Sequence, residues 1–247
     1  MISNKPFHIA IDGPVAAGKG TVSKLVAQRL GFLYVDTGAM YRMAAYLALQ
    51  NDIALTDEQE IVKLIKTAKI EMRTPLTGET VVNNNKNTVN EQDGRLITVL
   101  LNGEDVSWEI RTPEISQGAS KVSVLPEVRK ILVEKQQIIA QGQDVVMEGR
   151  DITYRVLPEA DLKIFLTAEI SARAERRLLQ SQLKGIDLNL PEVMAEIKER
   201  DERDMGRSAD PLKIVPGAWV LDTTKLAIEE VVEKIVKKVV QMKTQAK

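Results

Sequence analysis

The chain has 247 residues, and its 34 Lys and Arg residues nearly balance its 35 Asp and Glu residues, giving a net charge of −1. This balance argues against a general nucleic-acid or membrane-surface binder, which would carry a basic excess. Cysteine is absent and His8 is the only histidine, which excludes disulfides, zinc ribbons, iron–sulfur clusters, cysteine nucleophiles and multi-histidine metal sites. Catalysis must therefore use Lys, Arg, Asp, Glu, hydroxyls and backbone amides, the groups that phosphoryl transfer needs together with a metal ion.

The start of the chain lacks the features of a targeting segment. Residues 1–6 are polar and lead directly into an apolar run, without the longer apolar stretch and cleavage site of a signal peptide. The longest charge-free run, Met43–Asn51, is far shorter than the ~18 apolar residues of a membrane span. We therefore expect a cytoplasmic protein.

Five short apolar runs predict buried parallel strands: Phe7–Ile11, Phe32–Val35, Val145–Met147, Leu162–Leu166 and Trp219–Leu221. Four of them are followed by a carboxylate: Asp12, Asp36, Glu148 and Asp222. Helical periodicity lies between or after the runs: Thr21–Leu30, which Gly31 ends, Gly38–Gln50, and a C-terminal apolar face from Ile228 to Val240. Strands that alternate with helices predict an α/β fold with a parallel sheet.

The region of about 68–109 breaks this alternation and predicts short antiparallel strands. They are Lys69–Arg73, Thr80–Val82, Arg95–Leu101 and Val106–Trp108, with turns at Leu76-Thr77-Gly78, Asp93-Gly94 and Asn102-Gly103-Glu104 and an Asn-rich loop at Asn83–Asn90. Two helices, each opened by proline, are predicted around Pro113–Val122 and Pro126–Gln141. The pattern indicates a subdomain inserted into the α/β core.

The first predicted strand leads into a glycine-rich loop and then a helix, as a phosphate-binding loop requires. The residues are Gly13, Pro14, Val15, Ala16, Ala17, Gly18, Lys19, Gly20 and Thr21. Loop amides and the helix N-terminus point at the anion, and Lys19 adds a point charge near the β- and γ-phosphates. The hydroxyl comes one place later than in motor or signalling NTPases, a spacing that resembles small nucleotide kinases.

Arginine is concentrated in residues 150–207, which contain eight of the fourteen arginines: Arg150, Arg155, Arg173, Arg176, Arg177, Arg200, Arg203 and Arg207. Arginine binds phosphate oxygens bidentately and keeps its charge. A solvated helix with internal ion pairs is the structural alternative for residues 196–207. A GTPase is disfavoured, because the chain has neither Asp-x-x-Gly nor Asn-Lys-x-Asp.

Over residues 7–242 the sequence resembles bacterial cytidylate (CMP/dCMP) kinases. Besides the loop, the resemblance rests on Asp36-Thr37-Gly38-Ala39-Met40-Tyr41-Arg42, Leu101–Val106, Ile110–Glu114, Gly149-Arg150-Asp151-Ile152, Arg200–Asp204 with Arg207, and Leu221–Thr224. It implies a P-loop NTPase-type core with a five-stranded parallel sheet flanked by helices, an inserted monophosphate-binding subdomain with a small antiparallel sheet, and a short lid. The implied boundaries are 1–37, 142–182 and 208–247 for the core, 38–141 for the monophosphate-binding region, and 183–207 for the lid, at about 183–190, together with its flanking helix.

The resemblance also implies site residues. Thr37 and Tyr41 would line the acceptor pocket, and Arg42 would bind the CMP phosphate. Ser120, Arg129 and Asp151 would read the cytosine edge, whose amino donor and ring acceptors suit a carboxylate beside Arg and Ser. Further roles are phosphate binding and catalysis for Arg150, Arg200 and Arg207 together with Lys19, ribose binding for Asp204, and an ATP-side or hinge position for Arg176 and its neighbours Arg173 and Arg177.

The chain departs from the family pattern at several positions. Thr153-Tyr154 stands where Gly-Thr is usual, Glu148 where Asp is usual, and Thr77–Asn90 is longer than typical. Tyr154 and Arg155, expected near the acceptor pocket, are candidates to alter substrate preference or rate. Arg111-Thr112-Pro113 is interpreted as a conformational junction rather than a ligand contact.

The resemblance implies phosphorylation of CMP and dCMP by ATP in a monomer, with no nucleic-acid or membrane partner. Mg²⁺ would be carried mainly by the ATP phosphates, with Thr21 as a candidate ligand. The alternatives are a kinase for another nucleoside monophosphate or small metabolite, and a non-catalytic nucleotide-binding protein, which Lys19 and the arginines disfavour.

Overall fold

The computed structural model describes residues 5–75, 97–182 and 188–245. The chain divides into two compact units. Met1–Phe32 and Gly142–Lys247 form the terminal unit, and Leu33–Gln141 forms the central unit. No helix in the described ranges is long and apolar enough to cross a membrane.

The described part of the chain contains eight strands, in two sheets. They are β1 His8–Asp12, β2 Leu33–Asp36, β3 Ile70–Arg73, β4 Thr98–Leu101, β5 Glu104–Asp105, β6 Val145–Gly149, β7 Leu162–Thr167 and β8 Trp219–Asp222. The five-stranded sheet has the order β2-β6-β1-β7-β8, and the smaller sheet has the order β3-β4-β5. The five apolar runs thus all form strands of one sheet, and the predicted parallel α/β fold is confirmed.

Strand β1 lies in the middle of its sheet and is buried on both faces. Ile9 pairs in parallel with Val146 of β6 on one side and with Leu162 of β7 on the other. Ile9, Ala10 and Ile11 are completely buried, as a continuous apolar run predicts for a strand covered by helices on both faces. Asp12 is the last residue of β1, so its carboxylate lies at the carboxyl edge of the sheet.

Eight α-helices are present in the ranges that the structure describes. They are α1 Lys19–Leu30, α2 Thr37–Gln50, α3 Glu58–Thr67, α4 Pro113–Val122, α5 Pro126–Ala140, α6 Ile170–Gln182, α7 Leu190–Gly206 and α8 Ile228–Gln245. A 3₁₀ turn spans Glu109–Arg111, and a π-helical turn spans Ile152–Val156. Both proline-opened helices form as predicted, whereas α3 was not predicted.

The C-terminal helix α8 buries only part of the apolar face that its sequence predicts. Val231, Val232, Ile235 and Val239 are buried, but Ile228 is 51% and Val240 54% exposed. Ile228 is the first residue of the helix, and Val240 is turned by about 100° from Val239, away from the buried stripe. The packed stripe is therefore narrower than the apolar pattern.

The hairpin of the small sheet corrects one prediction. Asn102 and Gly103 have φ values of +53° and +87°, so these two residues alone make the turn between β4 and β5. Leu101 pairs with Glu104, and β5 ends at Asp105. The predicted strand Val106–Trp108 is therefore wrong, because a two-residue turn starts the returning strand earlier than the three-residue turn expected from sequence.

Several predicted features lie outside the described residues. They are the turns at Leu76-Thr77-Gly78 and Asp93-Gly94, the strand Thr80–Val82, the loop Asn83–Asn90, residues 95–96 of the strand Arg95–Leu101, and residues 183–187 of the lid tip.

Candidate active site

The phosphate-binding loop connects β1 to α1 in the terminal unit. Gly18 precedes the helix with φ +89°, a left-handed conformation that glycine adopts without strain. At Gly13 a Cβ atom would collide with the carbonyl oxygen of Leu166 in β7. The sheet therefore requires glycine at the start of the loop, and the N–H groups of the first turn of α1 are available to an anion.

The loop lysine is buried and held by the loop itself. Lys19 is 5% exposed, and its Nζ donates to the carbonyl oxygen of Pro14 at 2.9 Å. Burial, followed by repulsion from Arg150, lowers the pKa of Lys19 to about 7, and Arg200 adds to this effect. Glu148 and Asp204 oppose the shift without cancelling it. The pKa of Lys19 is therefore lowered mainly by burial, and the two arginines add repulsion to this effect.

Two arginines share one carboxylate beside Lys19. Arg150 Nε donates to Asp204 Oδ2 at 2.6 Å, and Arg150 Nη1 donates to the carbonyl oxygen of Gly149 at 3.2 Å. Burial opposes the charge of Arg150, but the charge and hydrogen bond of Asp204 outweigh it and raise the arginine's pKa. For Arg200, burial and then repulsion from Arg150 lower the pKa to about 10. Arg150 is therefore paired with Asp204, and its charge repels Arg200.

Asp204 stays ionised despite being buried. Burial alone would raise its pKa, but Arg150, Arg200 and Arg207 together lower it. The three sequence-predicted phosphate arginines therefore act on one carboxylate in the terminal unit.

A second ion pair, between Asp201 and Arg173, binds the backbone of Val15 in the phosphate-binding loop. Asp201 on α7 accepts from the amide of Val15 at 3.3 Å. Arg173 on α6 donates to the carbonyl oxygen of Val15 at 3.1 Å and to Asp201 Oδ2 at 2.6 Å. Both side chains are buried, so one charged pair satisfies the donor and the acceptor of the same loop residue. Sequence reasoning missed this role, since nothing in the local pattern links residues so far apart.

Apolar packing supports the same contact. Val15 and Ala16 pack against a buried cluster of α6 and α7 made of Ala174, Val193 and Ile197. The position of the loop is thus coupled to the two helices that flank the predicted lid.

The buried Asp12 fixes the turn that follows β6. Its carboxylate accepts from the amides of Ile152 at 2.9 Å and Thr153 at 2.8 Å, and from Thr153 Oγ1 at 2.6 Å. Burial raises the pKa of Asp12, although these hydrogen bonds and Lys19 oppose the rise. The turn carries Arg150 and Asp151, so Asp12 holds two predicted site residues in place. The side chain of Thr153, which sequence analysis noted as a departure from the family pattern, thus contributes a hydrogen bond to this carboxylate.

Asp151 faces an arginine of the 207 region. Arg207 Nη2 lies 3.8 Å from Asp151 Oδ1, and both side chains are almost fully buried.

Arg176, the predicted ATP-side arginine, donates to Thr223 Oγ1 at 3.0 Å and to the carbonyl oxygen of Thr223 at 2.6 Å. Its guanidinium therefore holds the segment that follows β8.

The central unit has its own arginine–carboxylate pair at the start of α2. Asp36 caps the helix by accepting from the amide of Ala39 at 3.1 Å, and its other oxygen accepts from Arg42 Nη2 at 2.7 Å. A Cβ atom at Gly38 would meet both Asp36 Oδ1 and Arg42 Nη1 at close range, so glycine lets the pair lie over the helix start. Burial opposes ionisation of Asp36, but Arg42 and then Arg111 lower its pKa.

Two guanidinium groups in this unit retain hydrogen-bonding capacity. Arg42 Nε and Arg111 Nη2 are buried and have no hydrogen-bond partner within the described part of the chain. Arg111 Nε is used, since it donates to the carbonyl oxygen of Ser107 at 3.1 Å. Sequence analysis interpreted Arg111 as a junction residue, but its charge acts on the same carboxylate as that of Arg42.

The remaining predicted acceptor residues also lie in the central unit. The guanidinium of Arg129, which is 2% exposed, lies 5.5 Å from the ring centroid of Tyr41. Arg129 Nη1 donates to the carbonyl oxygen of Ser123, whose hydroxyl donates to the carbonyl oxygen of Ser120, both at 3.0 Å. Thr37 is buried in the first turn of α2. The structure therefore connects Arg129 to both Tyr41 and the α4 turn that carries Ser120.

Comparison with known proteins agrees with the motifs and the fold. The family model described as cytidylate kinase matches residues 9–241. A cytidylate kinase from Caldicellulosiruptor bescii is 44% identical over 231 residues, covering 94% of each chain. One from Bacillus thuringiensis is 44% identical over 232 residues, covering 94% of this chain and 95% of its own.

A likeness among solved structures concerns the fold alone. The crystal structure of an uncharacterized protein from Eubacterium ventriosum has a TM-score of 0.50 and 10% sequence identity, and the match covers 95% of this chain and 98% of that one. The phosphate-binding loop and arginine clusters described above thus occur in a chain that the family model matches over nearly its whole length. This protein therefore belongs to the cytidylate kinase family.

Proposed function

We propose that this protein transfers the γ-phosphoryl group of ATP to CMP and dCMP, producing ADP and CDP or dCDP. Membership of the cytidylate kinase family supports the reaction. The observation that carries the proposal is the cationic cluster of the buried Lys19 and the half-buried Arg150 and Arg200. Burial, and then repulsion from Arg150 and Arg200, lower the pKa of Lys19 to about 7. A polyphosphate would relieve this repulsion, because it supplies the missing negative charge.

On the donor side, ATP phosphates would be bound by the loop residues Gly13, Pro14, Val15, Ala16, Ala17, Gly18, Lys19, Gly20 and Thr21. The support is the strand–loop–helix arrangement and the amides at the start of α1. Arg176 remains the proposed ATP-side arginine, and its hydrogen bonds to Thr223 would position the segment after β8 on that side.

On the acceptor side, Arg42 would bind the CMP phosphate, with Thr37 and Tyr41 in the pocket. The buried Nε of Arg42 and Nη2 of Arg111 support a phosphate there, since each is a charged donor available to an anion. We add Arg111 to the proposed phosphate ligands on this ground.

Recognition of cytosine is assigned to Ser120, Arg129 and Asp151. A carboxylate accepts from the exocyclic amino group, whereas Arg and Ser donate to the ring acceptors. Uracil places a carbonyl where cytosine has the amine, so Asp151 would repel it. Asp204 would contact the ribose hydroxyls in addition to holding Arg150.

The chemistry needs no protein base. An oxygen of the CMP phosphate, already a dianion near neutral pH, attacks the γ-phosphorus, and the bond to the bridging oxygen of ADP breaks. Lys19, Arg150, Arg200 and Arg207 would neutralise charge on the transferring group and hold donor and acceptor in line. We propose that a lid at about residues 183–190, with parts of its flanking helices, excludes water, although 183–187 lie outside the described residues.

The donor set suggests how magnesium would be held. Across residues 5–75, 97–182 and 188–245, no group of three or more His, Asp or Glu side chains could hold a metal ion. Thr21, exposed in the first turn of α1, is the protein hydroxyl we propose beside it, with ATP oxygens as the main ligands. Bound magnesium would neutralise the β- and γ-phosphates.

We also propose that the protein is a monomer, to be checked by light scattering after gel filtration.

A coupled assay of ADP release tests the proposal. With ATP and Mg²⁺, we expect turnover with CMP and dCMP to exceed turnover with UMP or AMP by at least about tenfold. Asp151→Ala should reduce kcat/KM for CMP far more than it changes ATP binding, and Lys163→Ala serves as a control. The absence of CMP-dependent ADP production would reject the activity, and an unchanged preference for CMP over UMP in Asp151→Ala would reject the assignment of the base pocket.

A further inference from the structure

The side-chain hydroxyl of Tyr154 connects the turn after β6 to the segment after α7. Sequence analysis identified Tyr154 as a departure from the family pattern. Tyr154 OH donates to the carbonyl oxygen of Pro211 at 2.6 Å. The Nζ atom of Lys213 lies 4.2 Å from the centroid of the Tyr154 ring, which is cation–π distance. One half-buried side chain therefore contacts the 207–213 segment with its polar end and with its ring face.

A second residue of the same turn contacts the same segment. Arg155 Nε lies 3.5 Å from Asp210 Oδ1. Arg207 Nε donates to the carbonyl oxygen of Asp210 at 2.7 Å, and Arg207 Nη2 lies 3.8 Å from Asp151. A continuous series of polar contacts thus runs from Arg155 through Asp210 and Arg207 to Asp151.

The backbone of this segment is in a conformation that needs support. Asp210 has φ +49°, a left-handed conformation that costs energy for a residue other than glycine. Its carbonyl and carboxylate are both engaged, by Arg207 and Arg155. Two residues further on, the amide of Leu212 donates to the carbonyl oxygen of Asp204 at 2.8 Å, which folds the segment back onto the end of α7.

The turn is a fixed base for these contacts. Asp12 accepts three hydrogen bonds from Ile152 and Thr153, all of them buried. Tyr154 and Arg155 directly follow this anchored pair. Their contacts therefore transmit the position of the central strand β1 to the 207–213 segment.

We propose that Tyr154 and Arg155 are positioning residues that hold Arg207 and Asp151 in their working arrangement. We call the contacts of Tyr154 and Arg155 with the 207–213 segment the clamp. The role of Arg207 in phosphate binding rests on the proposed function, whereas the existence of the clamp does not. Neither side chain is required to touch substrate. Sequence analysis identified Tyr154 and Arg155 as candidates to alter substrate preference or rate, and the proposal gives them an action through the 207–213 segment.

Tyr154→Phe tests the clamp most cleanly, because it removes the hydroxyl and keeps the ring beside Lys213. We expect kcat with CMP to fall about fivefold to tenfold, the factor that corresponds to one net hydrogen bond, while KM for ATP stays within about twofold. Arg155→Gln should act in the same direction. Tyr46→Phe, a partly exposed tyrosine of α2, and Arg29→Gln, a surface ion-pair residue of α1, are the matched controls and should leave both constants unchanged.

A double-mutant cycle separates positioning from general destabilisation. If Tyr154 acts through Arg207, Tyr154→Phe combined with Arg207→Lys should lose little more activity than Arg207→Lys alone. Losses that multiply would overturn the proposal, since a merely structural effect adds to that of an independent site.

Amide hydrogen exchange of the free protein tests the clamp without any substrate. Exchange at Leu212 and its neighbours should quicken about fivefold or more in Tyr154→Phe and not in Tyr46→Phe. Unchanged exchange would overturn the clamp even if the enzyme is active. If the wild type makes no ADP from CMP, the proposed function fails while this measurement still decides the clamp.

Discussion

Lys19 lies in a buried, cation-rich environment in the free protein, so ATP binding is expected to take up a proton. Its pKa is lowered to about 7 by burial and by Arg150 and Arg200, against the opposing effect of Glu148 and Asp204. Above pH 7 the free protein therefore holds Lys19 mostly as the neutral amine. ATP phosphates bring negative charge to the amine and favour its protonated form, so binding and protonation are linked.

The size of the effect follows from that pKa. If bound phosphate returns the lysine to its ordinary range, binding takes up about 0.9 proton per ATP at pH 8 and about half a proton at pH 7. The sign is fixed: because the bound state holds more protons, affinity for ATP falls as pH rises, by up to about tenfold per unit between pH 7 and 9. Phosphate titration adds little at pH 8, because the second pKa of a phosphate lies near 6.

Calorimetric titration of ATP with excess Mg²⁺, in buffers of different ionisation enthalpy at pH 8, measures the proton uptake. Lys19→Arg should abolish it, because arginine remains protonated at every pH used, and Lys19→Met should abolish it because no proton can bind. Lys24→Met, which removes a lysine from the same helix, is the control and should retain it. Wild-type binding without proton uptake, or uptake that persists in both Lys19 variants, would refute the reasoning.

Three further predictions concern stability and substrate binding. Gly13→Ala should lower the free energy of unfolding by about 2 kcal/mol or more, because the new Cβ atom would collide with a backbone carbonyl. Gly206→Ala, which adds a Cβ atom in open space, should change the free energy of unfolding by about 0.5 kcal/mol at most, and urea denaturation measures both. Asp201→Asn should destabilise the fold by about 3 kcal/mol and raise KM for ATP, since it breaks a buried ion pair that holds the phosphate-binding loop, and an unchanged KM would argue against that role. Arg111→Gln should raise KM for CMP about tenfold and leave KM for ATP unchanged, as expected for a lost charged hydrogen bond, and an equal loss for both nucleotides would contradict it.

The strands and most helices were predictable because their signals are local. Apolar runs mark the strands of the parallel sheet. Gly31 marks the end of α1 because it adopts a left-handed conformation without strain, and Pro113 and Pro126 mark the starts of α4 and α5 because their φ is fixed. The helix α3 escaped prediction, since it buries only Ile61 and Ile65 and so lacks a broad apolar face.

The rest of the site depends on contacts that no local pattern encodes. The ion pair between Arg173 and Asp201 joins α6 and α7 to the phosphate-binding loop, which precedes both helices in the chain by more than a hundred residues. The contact of Tyr154 with Pro211 spans 57 positions and ends on a backbone carbonyl, whose position follows only from the fold. Sequence analysis identified Tyr154 as a departure from the family pattern, but only the geometry gives the direction in which it acts.

Three arginines of the terminal unit are paired with carboxylates in a chain whose net charge is −1. Arg150, Arg173 and Arg207 each face a carboxylate in the free protein, at 2.6, 2.6 and 3.8 Å. A phosphate that binds Arg150 must therefore compete with Asp204, whereas burial and then repulsion from Arg150 lower the pKa values of Lys19 and Arg200. Such an arrangement discriminates against a single weak anion. It favours a ligand with several negative charges that reaches the whole cluster at once, as two nucleotides brought together for phosphoryl transfer would.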